Sequence, residues 1–202
     1  MEKRYEEFRG CDNLVFAEVL TDTKAGITFG DVEDLAPIGE ISHEVETSTA
    51  TTYYDNIPAN VINAEGATTV ALTVPVLPLA TLAKILGKGY DDATGALMDG
   101  ESAQKYYAVG VREQLTDGSN RYVWYYKGMF AVPSEGSKTK DNSTDTQNQT
   151  LTYTSVATVH PFTKPGKPQK RLVVDERDGK ANLSTFFDEV TTIDTLKPAT
   201  NG

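Results

Sequence analysis

Residues 107–126 read Tyr107-Ala108-Val109-Gly110-Val111-Arg112-Glu113-Gln114-Leu115-Thr116-Asp117-Gly118-Ser119-Asn120-Arg121-Tyr122-Val123-Trp124-Tyr125-Tyr126. Tyr107, Val109, Val111 and Leu115 alternate in the first half, and Tyr122, Trp124 and Tyr126 do so in the second. A period of two places such residues on one face of a β-strand. The joining Thr116-Asp117-Gly118-Ser119-Asn120 contains Asp-Gly, a strong hairpin signal. A hairpin is therefore predicted over 106–115 and 121–130, and with it a β-rich fold.

Working outward, the same rule finds further strands. Residues 13–20 are rich in β-formers. Over 38–47, Ile41, His43, Val45 and Thr47 share one face, and Glu40, Ser42, Glu44 and Glu46 the other. Over 67–76, Val70, Leu72, Val74 and Val76 are expected inward, and Thr69, Ala71 and Thr73 outward. Over 149–160, Leu151, Tyr153 and Val159 face one way and threonines the other.

Between two of these strands, residues 48–66 are rich in Ser, Thr, Asn, Pro and Gly yet carry Tyr53, Tyr54, Ile57 and Val61. They read as a long loop, and apolar groups in such a loop imply that it docks. Residues 78–86 predict a helix: Pro78 suits a first turn, Gly87 a C-terminal cap, and Leu79, Leu82, Ala83 and Leu86 recur at helical spacing. Residues 88–104 read as a loop or minor hairpin, and the polar 133–148 as an exposed loop. Residues 161–180 read as an extended arm with a brief apolar stretch at Leu172-Val173-Val174. Asn182 is placed to cap a helix bearing Leu183, Phe186, Phe187 and Val190, and the last twelve residues are expected to fray. The order β-β-β-α-β-β-β-α predicts a mainly β (α+β) class, a β-sandwich or partly open barrel with one packed helix and extended loops. The expected organisation is one domain over 1–202, with a core at about 10–160 and a C-terminal arm over 161–202.

The 202 residues carry a net charge of −10 and a pI of about 4.7. That balance argues against a conventional nucleic-acid-binding surface, which needs basic residues to displace phosphate counterions, and against docking on anionic lipid. It leaves open a protein that handles DNA by repelling it. One cysteine, Cys11, excludes an internal disulfide. The charged N-terminus and the lack of an apolar run near the roughly 20 residues of a membrane span predict folding in a cytoplasm.

Catalytic patterns are missing. There are two histidines. His43 lies in an alternating strand, with a packing or interface role expected, and His160 is expected to be a solvated turn residue. No Gly-x-Ser-x-Gly elbow is present, and Cys11 has no neighbouring motif. Asp91, Asp92, Asp99 and Glu101 miss the calcium-loop spacing, and Gly87-Lys88-Gly89 is not a phosphate loop. No enzyme, cofactor or metal site is expected. The basic run Lys164, Lys167, Lys170 and Arg171 reads either as a solvated linker or as an arm reaching an acidic neighbouring subunit. Asn142-Ser143-Thr144 and Asn148-Gln149-Thr150 match glycosylation acceptors and are taken as incidental.

Several stretches, in order, carry a family resemblance: Gly10-Cys11-Asp12-Asn13-Leu14-Val15-Phe16-Ala17; Thr28-Phe29-Gly30 followed by Leu35; Ala50-Thr51-Thr52-Tyr53-Tyr54-Asp55-Asn56; Leu77-Pro78-Leu79 with Leu86-Gly87; Arg121-Tyr122-Val123-Trp124-Tyr125-Tyr126-Lys127-Gly128; and Thr150-Leu151-Thr152. Together they resemble the major tail (tail tube) proteins of long-tailed bacteriophages and related prophages, over most of residues 10–160. The resemblance implies a β-sandwich-like core with a flanking helix, hexameric rings stacked into a hollow tube, and inner sheets joined around a channel for DNA ejection. It implies self-assembly, partners such as the tape measure and terminator proteins, DNA as a non-binding passenger, and location in the virion tail after synthesis in the bacterial host's cytoplasm. An acidic lumen lets DNA slide where a basic one would hold it. On this reading Glu40, Glu44 and Glu46 are candidate lumen-facing residues, the alternative being a merely solvated face. The 48–66 loop, with Tyr53, Tyr54, Asp55 and Ile57, is the candidate bridge to a neighbouring subunit.

A different reading of the same composition is a carbohydrate- or cell-surface-binding sandwich. It requires an exposed aromatic platform, for which Trp124-Tyr125-Tyr126 is the candidate. An acid-catalysed hydrolase would require two carboxylates converging in a cleft.

Overall fold

The computed structural model describes residues 5–133 and 148–199. The loop expected over 133–148, with Asn142-Ser143-Thr144, lies outside the described residues except at its two ends. The strands are β1 (Phe8–Thr23), β2 (Gly26–Phe29), β3 (Glu33–Asp34), β4 (Glu40–Tyr54), β5 (Ile57–Val74), β6 (Gly89–Asp91), β7 (Ala96–Met98), β8 (Tyr107–Leu115), β9 (Asn120–Phe130), β10 (Gln149–Ser155) and β11 (Arg171–Asp175), with the helix α1 (Leu79–Leu86) after β5. Nine strands form one antiparallel sheet in the order β2-β1-β8-β9-β10-β5-β4, with β3 beside β1 and β11 beside β9. β6 and β7 form the minor hairpin. The class is mainly β with one helix, as the alternation predicts, and the sheet does not close into a barrel.

β8 and β9 run through the middle (Val109 opposite Tyr125, Val111 opposite Val123) and close over the turn Thr116-Asp117-Gly118, where the Leu115 amide donates to the Ser119 carbonyl at 2.9 Å and Gly118 takes a positive φ of 85°. Both faces of these strands are buried. Leu14, Phe16, Tyr107, Val109, Val123 and Tyr125 join one core with Val70, Leu72, Leu151, Tyr153 and the helix. Val15, Ala17, Ala108, Tyr122, Trp124 and Tyr126 join a second core on the opposite face. Alternation in these strands therefore separates two interiors, not an inside from an outside.

α1 covers the first face. Leu82, Ala83, Ile85 and Leu86 are buried; Leu79, expected on the buried side, is half exposed because it opens the first turn at the rim of the sheet. The Tyr107 hydroxyl donates to the Lys84 carbonyl at 2.6 Å and ties the helix to β8. Gly87 ends α1 at a φ of +64°, and a Cβ there would overlap the Ala103 carbonyl oxygen. Gly87→Ala is expected to cost on the order of 3 kcal/mol through backbone strain and overlap. An unchanged urea midpoint would show that the helix end rearranges freely.

The second face is covered by the C-terminal segment, which is neither an extended arm nor frayed. Phe162, Phe186, Val190, Thr191 and Thr192 are buried, and Leu172 and Val174 pack beside them through β11. The helix expected over 183–190 does not form; the segment runs in turns. Its physical reason is competition for one acceptor. The Phe186 carbonyl, which a helix would offer to residue 190, instead accepts from the Trp124 indole N–H at 3.0 Å and the Thr191 hydroxyl at 2.8 Å. Asn182 caps only a local turn, accepting from Ser184.

A buried ion pair pins the start of this segment. The Asp22 carboxylate on β1 accepts from Lys127 Nζ at 2.7 Å and from the amides of Val159 and His160 at 2.8 and 3.0 Å. Burial alone would raise the Asp22 pKa; the Lys127 ammonium and the two amides outweigh it and hold the carboxyl below its ordinary value. The folded carboxylate thus binds a proton less readily than the unfolded one. Its stabilisation is complete above the unfolded value of about 3.9 and is lost as pH falls through the lower folded value. Asp22→Asn is expected to cost about 3–5 kcal/mol at neutral pH, since it strands Lys127. It should also flatten the acid side of the melting-temperature profile; a variant profile parallel to wild type would refute this role. His160 is correspondingly not a solvated turn residue: its backbone is held by Asp22 and its ring lies edge-on to Phe162.

Candidate assembly surface

Residues 48–66 are not a loop. β4 and β5 continue through them as a hairpin, paired from Glu40–Thr73 at the root to Tyr54–Ile57 at the tip. Asp55 and Asn56 both take positive φ, 52° and 66°. A two-residue turn of that kind matches the twist of paired strands, and Asp and Asn are among the residues that tolerate it. The threonines that suggested a loop are β-formers.

β10 pairs with β5 only over Thr68–Val74. Beyond Thr68 both edges of the hairpin lack a strand partner among the described residues, and the eight residues of β4 from Thr47 to Tyr54 project by about 25 Å. Every residue from Glu46 to Gly66 is exposed. Tyr53, Tyr54, Ile57, Val61 and Ile62 are 62, 66, 66, 62 and 58 % exposed. Over 48–64 the only charge is Asp55. An uncharged, apolar-tipped projection with open backbone edges is a surface suited to a protein partner.

The hairpin root presents a second surface. Where β10, β5 and β4 lie side by side, the described residues cover only the first face of the sheet. On the other, Thr150, Thr152 and Thr154 stand beside Thr73, Ala71 and Thr69, which stand beside Glu40, Ser42 and Glu44. Glu46 continues the β4 row. The three columns hold hydroxyls and carboxylates and no basic side chain. Glu40, Glu44 and Glu46 are thus brought together on one exposed face, while Tyr53, Tyr54, Asp55 and Ile57 gather at the far end of the same hairpin.

A bulge lies between these two groups, where the register slips between Val45 and Thr47. Glu46 lies across Gly66, whose added Cβ would meet the Glu46 carboxylate at 2.8 Å. Lys170 donates to the Gly66 carbonyl at 2.8 Å and lies 3.8 Å from Glu65, holding the hairpin where β10 stops.

Other expected positions resolve differently. Trp124, Tyr125 and Tyr126 are fully buried, so they offer a sugar no platform; their alternation belongs to the two cores. Val76 and Val159, expected inward, are exposed because each lies beyond the end of its strand. His43 is exposed beside Val70, which excludes a packing role. Burial pushes the Cys11 thiol pKa up, and the carboxylates of Glu113, Asp12 and Glu40 add to it, so the reactive thiolate is disfavoured. Asp91 accepts from Ala93 and Thr94 within its turn, and Asp99 pairs with Lys88. Among the described residues no group of three or more His, Cys, Asp or Glu side chains is placed to hold a metal ion, and no helix is long and apolar enough to cross a membrane. Ile62 was the tip residue missed by sequence reasoning; as part of the Val61-Ile62 pair in a polar segment it carried a legible signal.

Residues 24–192 match the model of a family described as phage tail tube protein. No curated protein matches the chain in sequence. Among solved structures, the anti-feeding prophage cap (AFP tube terminating cap) is similar at a TM-score of 0.41 and 10 % identity, over 87 % of this chain and 95 % of that one.

Proposed function

The chain belongs to the phage tail tube protein family, a structural component of the virion tail, and we propose that its copies close into hexameric rings that stack around a channel for DNA. The whole chain acts as one unit in this role, without catalysis or cofactor. Its partners are other copies of itself and further tail components such as the tape measure and terminator proteins. The subunit is made in the cytoplasm of the bacterial host and ends in the tail.

The observation that carries this reading is the β4–β5 hairpin, whose outer backbone edges and tip side chains find no partner among the described residues over its distal half. Neighbouring copies supply that partner: β4 offers a long edge for strand pairing, and Tyr53, Tyr54, Asp55 and Ile57 bridge to an adjacent subunit. The threonine columns with Glu40, Glu44 and Glu46 form the channel wall. A wall of hydroxyls and carboxylates gives phosphate no cation to exchange for its counterions, so DNA passes without binding.

Negative-stain microscopy of the purified protein over rising concentration tests this. Rings or tubes are expected. A strict monomer at every concentration and salt up to the solubility limit would refute it.

A further inference from the structure

We infer that the turn carrying Lys164 and Lys167 is a knob that docks on the bulge of a second copy's β4–β5 hairpin, against Glu46 and Glu65. This rests on the ring reading above and moves Glu46 from the open channel wall to the seam between subunits.

The knob is a built feature. Phe162 is buried at its base. The Phe162 amide donates to the Lys167 carbonyl at 3.3 Å, the Gly166 amide to the Phe162 carbonyl at 2.9 Å, and the Thr163 amide to the Asp194 carboxylate at 3.1 Å. The turn is thereby closed and fixed to the second core, while every residue from Thr163 to Pro168 is exposed. Side chains presented from a fixed turn lose less freedom on docking than those of a loose arm.

The charges on it are spare. Eight basic side chains pair with carboxylates within the molecule: Lys84, Lys88, Lys105, Arg112, Arg121, Lys127, Lys170 and Arg177. Lys164 and Lys167 make no ion pair among the described residues, and they stand on one turn of a chain whose net charge is −10.

The matching surface is the unpartnered hairpin face at the bulge. Glu44, Glu46, Ser48, Glu65 and Gly66 line a shallow groove of about 590 Å³ there. Glu46 makes no ion pair among the described residues, and Glu65 is 72 % exposed at 3.8 Å from Lys170. Lys170 already shows the chemistry of the joint within one copy, an ammonium on the Gly66 carbonyl beside a glutamate. Two ammoniums without an ion pair thus meet Glu46, which lies across Gly66 and makes no ion pair among the described residues, and Glu65, which stands opposite Thr47 and is shared with Lys170. Each copy offers one knob and one groove, a heterologous contact that can close into a ring. DNA is the less suitable occupant of the knob, since the acidic hairpin beside it repels a polyanion.

Charge swapping tests the joint. Lys164→Glu/Lys167→Glu and Glu46→Lys/Glu65→Lys are each expected to need at least about tenfold more protein than wild type to assemble, by sedimentation and microscopy. Both should melt like wild type; if either does not, the Gln versions of the same substitutions replace it. Mixing the two variants, or combining all four substitutions in one chain, is expected to restore assembly. One-sided variants that assemble like wild type, or well-folded variants that fail to recover when mixed, would overturn this docking and leave the ring reading intact. A wild-type protein that never assembles would overturn both. Loss of retention on double-stranded DNA in the lysine variant, with assembly unchanged, would give the knob to nucleic acid.

Discussion

Tyr53→Ser/Tyr54→Ser/Ile57→Ser is expected to leave a folded monomer that no longer assembles. The three side chains sit at the hairpin tip, each more than 60 % exposed, and belong to neither core. Their loss therefore removes almost no packing from the free subunit, and its melting temperature should move by less than about 2 °C. In the proposed ring the same side chains bury against a neighbour. Fully burying one residue of this size is worth about 1.5–3 kcal/mol, and about two-thirds of each is still exposed in the free subunit, so three replacements weaken each joint by about 3–6 kcal/mol, or a hundredfold or more. Sedimentation velocity over rising concentration, paired with a thermal melt, separates the possibilities. Assembly at the wild-type concentration would remove the tip from the interface. A large drop in melting temperature would mean that the tip packs on its own body.

Trp124→Ala is expected to have the opposite signature, a loss of the fold itself. The indole is fully buried in the second core, contacts Phe187 at a ring separation of 5.8 Å, and donates to Phe186 across the gap to the C-terminal segment. Removing it empties a large volume and leaves the Phe186 carbonyl with one donor fewer, for a cost of about 4–5 kcal/mol. Because the indole joins sheet to segment, trypsin should cleave at the exposed Lys180 faster in the variant than in wild type, before the sheet opens. Trp124→Phe keeps most of the volume and should cost less than half as much. An alanine variant with an unchanged urea midpoint would show that the segment is held by other contacts.

These expectations trace to different levels of legibility. The central hairpin, the root of β5 and the helix were readable because period-two and helical spacing are properties of short windows. Thr68–Val74 reads directly as a strand with Val70, Leu72 and Val74 inward. The second core was not readable, since Tyr122, Trp124 and Tyr126 announce a buried face without saying what buries it. Leu183, Phe186, Phe187 and Val190 fit a helix as well as a segment draped on a sheet, and one carbonyl claimed by Trp124 and Thr191 decides between them. The projecting hairpin is hidden by its composition: Ser, Thr and Asn suggest a loop, while Tyr54-Asp55-Asn56-Ile57 carries the turn that pairs the two strands. Its apolar residues were nonetheless legible as needing a partner, because nothing in so polar a stretch could bury them locally.

The order of the strands along the chain has a consequence for synthesis. The hairpin leaves the ribosome as residues 40–74, but the strand that anchors its root, β10, follows some 75 residues later, and the Lys170 contact that braces its bulge later still. Translation thus delivers the apolar-tipped hairpin before the strand and the lysine that fix its direction, so its orientation is set only when the chain is nearly complete.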